Sequence, residues 1–122
     1  MTKNAALYNF FNRFMTAYPV SSVPEDTVFP YLVYENVIDS WTGGEVSMSV
    51  NLWFYTESEA IPNAKVQEIS AAIGSGGATI PCDGGFIWIK RGSPFAQPLV
   101  DDTAPGIKRR LINLSAEFMT AD

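Results

Sequence analysis

The sequence predicts an α+β fold, a two-layer sandwich in which two helices cover one face of a mostly antiparallel sheet. Two segments show apolar residues at helical spacing, and several others alternate apolar and polar residues as half-buried strands do. Glycine-rich turns join neighbouring strands, which favours hairpins over helical crossovers. The length of 122 residues suits one domain spanning residues 1–122.

Both predicted helices are amphipathic. The first, residues 4–17, should end before Pro19, because a residue that precedes proline is pushed out of the helical conformation. The second should begin after Glu59, since acidic residues suit the positive end of the helix dipole, and it should end at Gly74. The apolar faces consist of Leu7, Phe10, Phe11 and Phe14 in the first helix and Val66, Ile69, Ala72 and Ile73 in the second.

A long hairpin is predicted between the helices. Residues 28–38 are rich in β-branched and aromatic side chains, and Pro30 indicates an edge position or a late entry into the sheet. Residues 45–56 alternate strictly, so one side is apolar while Trp53 and Tyr55 share the other side with serine and asparagine. If no helix covers that mixed face, its aromatic residues are exposed or meet a partner.

The last third of the chain predicts a tight hairpin, a long loop and a final strand. Residues 78–82 and 86–91 flank Asp83-Gly84-Gly85, where glycine supplies the positive φ angles of a short turn. Residues 92–106 contain three prolines and no periodicity, and an aperiodic stretch of this length is typically functional or disordered. Because Phe95 and Leu99 lie in it, the predicted loop is not a simple solvated linker. Residues 107–119 alternate again as a strand.

Composition excludes much chemistry. The chain has no histidine and a single cysteine, Cys82. A Ser-His-Asp triad, a histidine-ligated metal site and an internal disulfide are therefore impossible. The adjacent acids Glu25-Asp26 and Asp101-Asp102 are more typical of solvated turns than of paired catalytic carboxylates. We expect no enzyme activity, no cofactor and no metal.

Charge is divided unevenly along the chain, with a net value of −5 that argues against a general nucleic-acid binder. The charged residues among 1–75 are mainly acidic, whereas five cations bracket the predicted loop. Three interpretations remain open: solvated strand ends, contact with an acidic patch on a neighbouring copy, and contact with phosphate. The five cations are Lys90, Arg91, Lys108, Arg109 and Arg110.

Neither a signal peptide nor an apolar run long enough to span a membrane is present. We therefore expect a soluble protein made in a reducing cytoplasm, without a membrane partner. The candidate contact residues are then the mixed-face aromatics Trp53 and Tyr55, the loop residues Phe95 and Leu99, and the five cations.

Several stretches together form one recognisable pattern: LYNFFNRF, PYLVYENV, VSMSVNLWFYTES, NAKVQEISAAIG, ATIPCDGGFIWIKRGSPFAQPL and IKRRLINLSAEFMTAD. This pattern resembles the small minor capsid or tail-completion proteins of siphophages and prophages of Gram-positive bacteria, which are similar to the tail-terminator group. The likeness covers nearly the whole chain, and residues 78–99 are its most specific part. It is a likeness of the whole pattern, because the family has no catalytic motif to match.

The resemblance implies a structural role at the head–tail junction of a virion assembled in the host cytoplasm. Tail terminators form a ring, usually hexameric, that caps the tail tube and meets the head–tail connector proteins. The implied fold is a sheet with helices on one side, and DNA would pass without specific binding. Alternatives are another morphogenetic part, either a head-completion stopper or a minor tail component, and a nucleic-acid-binding module that uses the five cations.

Overall fold

The computed structural model of the chain describes residues 1–100 and 104–122, so Asp101 and Asp102 lie outside the described residues. Its elements confirm the α+β class. The helices are α1 (Lys3–Asn12) and α2 (Ala60–Ile73), with single 3-10 turns at Val20–Ser22 and Trp41–Gly43. The strands are β1 (Ala17–Pro19), β2 (Tyr31–Tyr34), β3 (Glu45–Tyr55), β4 (Ala78–Cys82), β5 (Gly85–Leu99) and β6 (Ile107–Thr120).

The six strands form one sheet in the order β1-β2-β3-β6-β5-β4. All neighbours are antiparallel except β1 and β2, which run parallel. The predicted antiparallel pairing of β2 with β3 is confirmed, with Tyr31 opposite Trp53, but the strand is shorter than the predicted 28–38 because only Tyr31–Tyr34 pair. The long strands β3 and β6 pair from Glu45 opposite Glu117 to Tyr55 opposite Ile107, and they form the centre of the sheet.

Strand alternation divides the sheet into one buried and one uncovered face. Along β3 and β6 every second side chain enters the core, and both helices contribute to that same core. The two helices therefore lie on one side of the sheet, as the sequence predicts. The buried strand residues include Met48, Val50, Leu52 and Phe54 of β3 and Ile112, Leu114, Ala116 and Phe118 of β6.

Helix α1 contacts both edge strands, β1 and β4, of the six-stranded sheet. Five strand spacings of about 4.8 Å would place these edges roughly 24 Å apart in a flat sheet, whereas a helix is only about 10 Å wide. The sheet must curl around α1 to bring both edges to it. The predicted two-layer sandwich is therefore not confirmed: the sheet is a half-barrel with its apolar face inside.

The end of the first helix differs from the prediction. Helix α1 ends at Asn12, whose side-chain oxygen accepts a hydrogen bond from the backbone N–H of Ala17 at 3.2 Å. This contact turns the chain early and lets Ala17–Pro19 form an edge strand beside β2. Phe14 stays buried although it lies beyond the helix. The apolar spacing thus identified core residues correctly but overextended the helix.

The predicted loop over residues 92–106 is wrong for residues 92–99, which continue β5, and residues 96–99 pair with β6. A shift of register between Arg91 and Ala96 marks an irregularity that contains Pro94. Strand β4 pairs only with residues 85–89, so the rest of β5 is an edge. Proline is tolerated at edges and bulges because no hydrogen bond from its nitrogen is needed there.

Helix α2 and the tight hairpin follow the prediction closely. Helix α2 starts directly after Glu59 and ends at Gly74, whose φ of 75° is a value that glycine adopts readily. Asp83 and Gly84 form a two-residue turn between paired Cys82 and Gly85. Among the residues that the structure describes, no helix is long and apolar enough to cross a membrane.

Shortening Phe11 should destabilise the half-barrel. Phe11 is fully buried and its ring stacks on Tyr34 of β2 with centroids 4.9 Å apart. Phe11→Ala leaves a cavity and should lower the free energy of unfolding by about 3–5 kcal/mol, measured by denaturant unfolding. Tyr8→Ala, on the exposed side of the same helix, should cost about 0.5 kcal/mol or less. Equal losses in both variants would contradict the packing described for α1.

Candidate functional site

The uncovered face of the sheet, called here the open face, lies opposite both helices. It carries Ser47, Asn51, Trp53 and Tyr55 of β3, which alternate with the buried residues of that strand. Glu117 of β6 lies on the same face, opposite Glu45. The predicted interleaving of polar and aromatic residues on this face is confirmed. Because the opposite face of the curled sheet encloses the core, the open face is convex.

One end of the open face is an aromatic platform formed by Tyr18, Phe29, Tyr31, Trp53 and Tyr55. The rings of Tyr31 and Trp53 are stacked, with centroids 6.4 Å apart and an interplanar angle of 18°. Tyr18 and Phe29 contact Tyr31 at 6.2 and 5.4 Å, and Phe29 contacts Tyr55 at 6.1 Å. These contacts join rings from three strands and one loop into a continuous surface.

Arg109 of β6 adds a cation to the aromatic platform. Its guanidinium carbon lies 4.8 Å from the centroid of Trp53, and its Nε donates to Asn51 at 2.9 Å. Stacking on the Trp53 ring and the hydrogen bond to Asn51 hold the planar group in place. Within residues 1–100 and 104–122, no carboxylate lies within 4 Å of this guanidinium.

An apolar groove of about 450 Å³ borders the aromatic platform on the side of α2. Val28, Tyr55 and Ile61 line it and are 78%, 70% and 55% exposed. Exposed apolar side chains are common singly, whereas a contiguous group of them is less usual on a protein surface. The groove therefore extends the platform past the end of β3 toward α2.

The opposite end of the open face carries a second apolar surface, called here the Trp41 patch, formed by Trp41, Phe86 and Met119. Phe86 of β5 and Met119 of β6 are paired neighbours, and Trp41 comes from the 3-10 turn before β3. Phe86 is 38% exposed, Met119 is 40% exposed and Trp41 is 64% exposed. Thr120 and Ala121 complete a shallow depression of about 430 Å³.

A charged group separates the two apolar surfaces. Lys90 of β5 contacts Glu45 and donates to Glu117 at 2.8 Å, and its ammonium lies 4.1 Å from the Trp88 ring centroid. Hydrogen bonds to Glu117 and Glu45 raise the pKa of Lys90, and the hydrogen bond from Lys90 lowers the pKa of Glu45. Lys90 is thus paired within the chain at neutral pH.

Arg110 lies on the helix side of the sheet and is buried. It donates to Glu59 at 2.6 Å and to Asn63 at 3.1 Å, both in or beside the first turn of α2. Lys108 also contacts Glu59, at 3.2 Å. Hydrogen bonds from Arg110 and then Lys108 lower the pKa of Glu59. These cations fasten the start of α2 to β6.

The five cations predicted as one cluster are therefore divided by the sheet. Lys90 and Arg109 lie on the open face, whereas Lys108 and Arg110 are bound to Glu59 on the helix side. Arg91 is exposed and donates to the hydroxyl of Ser70 in α2 at 2.9 Å. Successive side chains of β5 and β6 point to opposite faces of the sheet. Cations that are neighbours in sequence therefore lie on different faces, and the structure does not bring the five together.

Phe95 and Leu99 lie in strand β5 and not in a long loop as predicted. Phe95 is partly buried and packs against the core, next to the register shift. Leu99 is also partly buried and pairs with Arg109. Leu99 is thus near the aromatic platform, whereas Phe95 contributes to packing within the subunit.

Most members of the two apolar surfaces were missed at the sequence level. Trp53 and Tyr55 follow from alternation, but Tyr18, Phe29 and Tyr31 join them only through strand pairing. Trp41 lies between the two strands of the predicted long hairpin, just before Gly43 and Gly44, and a large apolar residue in such a glycine-rich turn is the one signal that could have marked it. Which side chains are neighbours across two strands can be stated only once the pairing register of the strands is known.

The arrangement suits binding by shape and apolar contact. Within the described ranges, no group of three or more histidine, cysteine, aspartate and glutamate side chains is placed to hold a metal ion. Cys82 is partly buried, and burial raises the pKa of its thiol, so the group stays protonated at neutral pH. Tyrosine, tryptophan, phenylalanine, methionine and arginine, the residues of the two surfaces, are those enriched in the centres of protein interfaces.

Phe95→Ala should lower the free energy of unfolding by about 1–3 kcal/mol, part of the 3–5 kcal/mol typical of a fully buried phenylalanine. The reason is its partial burial against the core. Urea unfolding measures the effect, and Gln97→Ala, at an exposed position of the same strand, is the matched control. Unchanged stability with lost self-association would instead make Phe95 an interface residue.

Glu59→Gln should change how stability depends on pH. Since the pKa of Glu59 is lowered in the folded state, its ion pairs contribute fully at neutral pH and lose their contribution as pH falls below the ordinary value of 4.5. The stability gap between wild type and Glu59→Gln should be constant above about pH 6 and shrink under acid conditions. Unfolding curves across this range test it. Glu25→Gln, which makes the same change in an exposed loop, is the matched control.

Comparison of the chain with known protein families and with curated protein sequences found no match.

Proposed function

We propose that the chain is a phage structural protein, a tail terminator that forms a ring on the tail tube and joins the tail to the head connector. The observation that carries the proposal is the open face, with its aromatic platform and Trp41 patch left uncovered by the part of the chain that the structure describes. Apolar and aromatic surfaces of this kind are used in contacts between proteins. The resemblance to tail-completion proteins supplies the setting in which such contacts would be made.

The proposed partners are further copies of the chain in a hexameric ring, the tail tube protein and the connector proteins. The proposed location is the head–tail junction of the virion, after assembly in the host cytoplasm. The half-barrel supports the proposal, since both helices lie inside or beside its concave face and leave a convex sheet face for neighbours. DNA would pass through the ring without specific contacts, as the net charge of −5 favours.

A nucleic-acid-binding role has weaker support. Lys90, Lys108 and Arg110 are held by carboxylates within the chain, which leaves them poorly placed to neutralise phosphates. A general binder needs several free cations on one surface, because its affinity comes from released counterions. The division of the cations between the two sides of the sheet favours an assembly role instead.

Loss of the protein should produce phage particles with overlong or irregular tails, because nothing would stop polymerisation of the tail tube. Electron micrographs of particles made without the protein measure this, and supplying the wild-type chain in trans should restore uniform length. Normal tails together with heads that leak DNA would indicate a head-completion stopper. Tails of unchanged length on intact heads would contradict both roles and leave a minor tail component.

A further inference from the structure

We propose that three prolines, Pro19, Pro81 and Pro98, keep free strand edges of the sheet from pairing with strands of a second copy. Each lies where a backbone N–H would otherwise point outward from an edge. A strand edge with unpaired N–H and C=O groups is a template for another strand, and proline removes the donor. The inference concerns backbone edges, so it holds whether or not the proposed ring forms.

Three stretches of strand have a partner on one side only. Strands β1 and β4 are the outermost strands of the sheet. Strand β5 extends from Lys90 to Leu99 beyond its pairing with β4, which ends at Ile89. A depression of about 350 Å³ lies between α1 and β4, with Asn9 and Thr79 among its lining residues, so the helix does not fill the space beside that edge. Each stretch is therefore a place where another strand could add.

The pairing of β4 shows which way Pro81 faces. Successive residues of a strand direct their backbone N–H and C=O groups to opposite sides. Because proline has no N–H, it fits a continuous ladder only where that group would point away from the partner strand. Pro81 lies within the continuous pairing of β4 with β5, opposite Phe86, so its nitrogen faces outward. Two residues on, Asp83 also faces outward, and its N–H donates to the carbonyl of Met1 at 2.8 Å.

The same argument places Pro98 on the outer side of β5. Residues 96–99 pair continuously with β6, and Pro98 lies opposite Arg110. Strand β4 does not reach this part of β5, and Pro98 is exposed. By alternation, Ala96 also faces outward. A strand added here would meet an N–H at Ala96 and none at the next outward position.

The edge of β1 lacks a donor at both of its outward positions. Leu32 donates to the carbonyl of Thr16 at 2.9 Å, so Thr16 faces β2. By alternation, Ala17 and Pro19 face outward. The N–H of Ala17 donates to the side chain of Asn12 at 3.2 Å, and Pro19 has no N–H. Both outward positions of β1 are therefore closed to an incoming strand.

The three edges share one property, which is that a proline interrupts the series of outward N–H groups. On β4 the N–H of Thr79 is followed by Pro81 and then by Asp83, whose N–H is occupied. On the regular part of β5 the N–H of Ala96 is followed by Pro98. A strand adds through hydrogen bonds at alternate residues, and a single donor does not supply such a series. The prolines thus protect the edges by their register as well as by their number.

The test replaces an edge proline by threonine, which restores the N–H and favours the strand conformation. Pro81→Thr and Pro98→Thr should leave the fold intact, because neither nitrogen faces its partner strand, and circular dichroism checks this. Each variant should form thioflavin-binding aggregates at a roughly tenfold lower protein concentration than wild type. Pro24→Thr, which makes the same change in an exposed loop, is the matched control and should behave as wild type.

A second change on the same edge distinguishes a restored donor from a weakened fold. Thr79 faces outward like Pro81, so Thr79→Pro removes the neighbouring donor without disturbing the pairing with β5. Adding Thr79→Pro to Pro81→Thr should return the aggregation concentration to that of wild type. If Pro81→Thr aggregated because it unfolds, a further proline would not rescue it.

Edge variants as soluble as wild type, a loop variant that aggregates equally, or a double variant that still aggregates would each overturn the inference. Hydrogen exchange in wild type gives an answer even if a variant does not fold. The amide of Thr79 should exchange quickly at every protein concentration, and protection that grows with concentration would show strand addition at β4 despite Pro81. These measurements involve no tail tubes or particles, so their outcome is separate from that of the proposed function.

Discussion

The apolar side of α1 contacts β1 at one edge of the sheet and β4 at the other, and this double contact sets the shape of the molecule. Burial of Leu7 and Phe11 requires a surface on more than one side of a narrow helix, which a flat sheet does not provide. The sheet meets that need by curling, with the long strands β3 and β6 at its centre. The half-barrel is thus a consequence of packing an aromatic-rich helix against a sheet with two short edge strands.

The same curl decides what remains outside. A sheet wrapped around its core has a convex outer face, and no third helix is present among the described elements to cover it. Side chains that alternate outward along β2, β3 and β6 therefore meet solvent or another molecule. Where they are serine, asparagine and paired charges, solvent is a suitable environment. Where they are Tyr31, Trp53 and Tyr55, the outer face is aromatic and largely apolar.

Periodicity predicted most of the elements but not their ends. The alternation of residues 45–56 and the spacing of α2 were strong signals, and the structure has those elements within a residue or so of the prediction. The failures occurred where local contacts compete with periodicity. The side chain of Asn12 bonds forward to Ala17 and shortens α1, and prolines 94 and 98 lie in a strand because its far half is an edge. Whether a strand lies at an edge depends on how the whole sheet is assembled, so the prolines alone could not show that this part of β5 is an edge.

The sequence by itself determined the α+β class, the buried face of each long strand and the absence of histidine chemistry, because these depend on residue type and on spacing within one segment. Only the tertiary structure decided the curl, the division of five neighbouring cations between two sides of the sheet, and the assembly of Tyr18, Phe29 and Tyr31 beside Trp53. Those properties depend on strand order and register. Both are set by contacts between residues far apart in the chain, which a pattern read along the sequence does not contain.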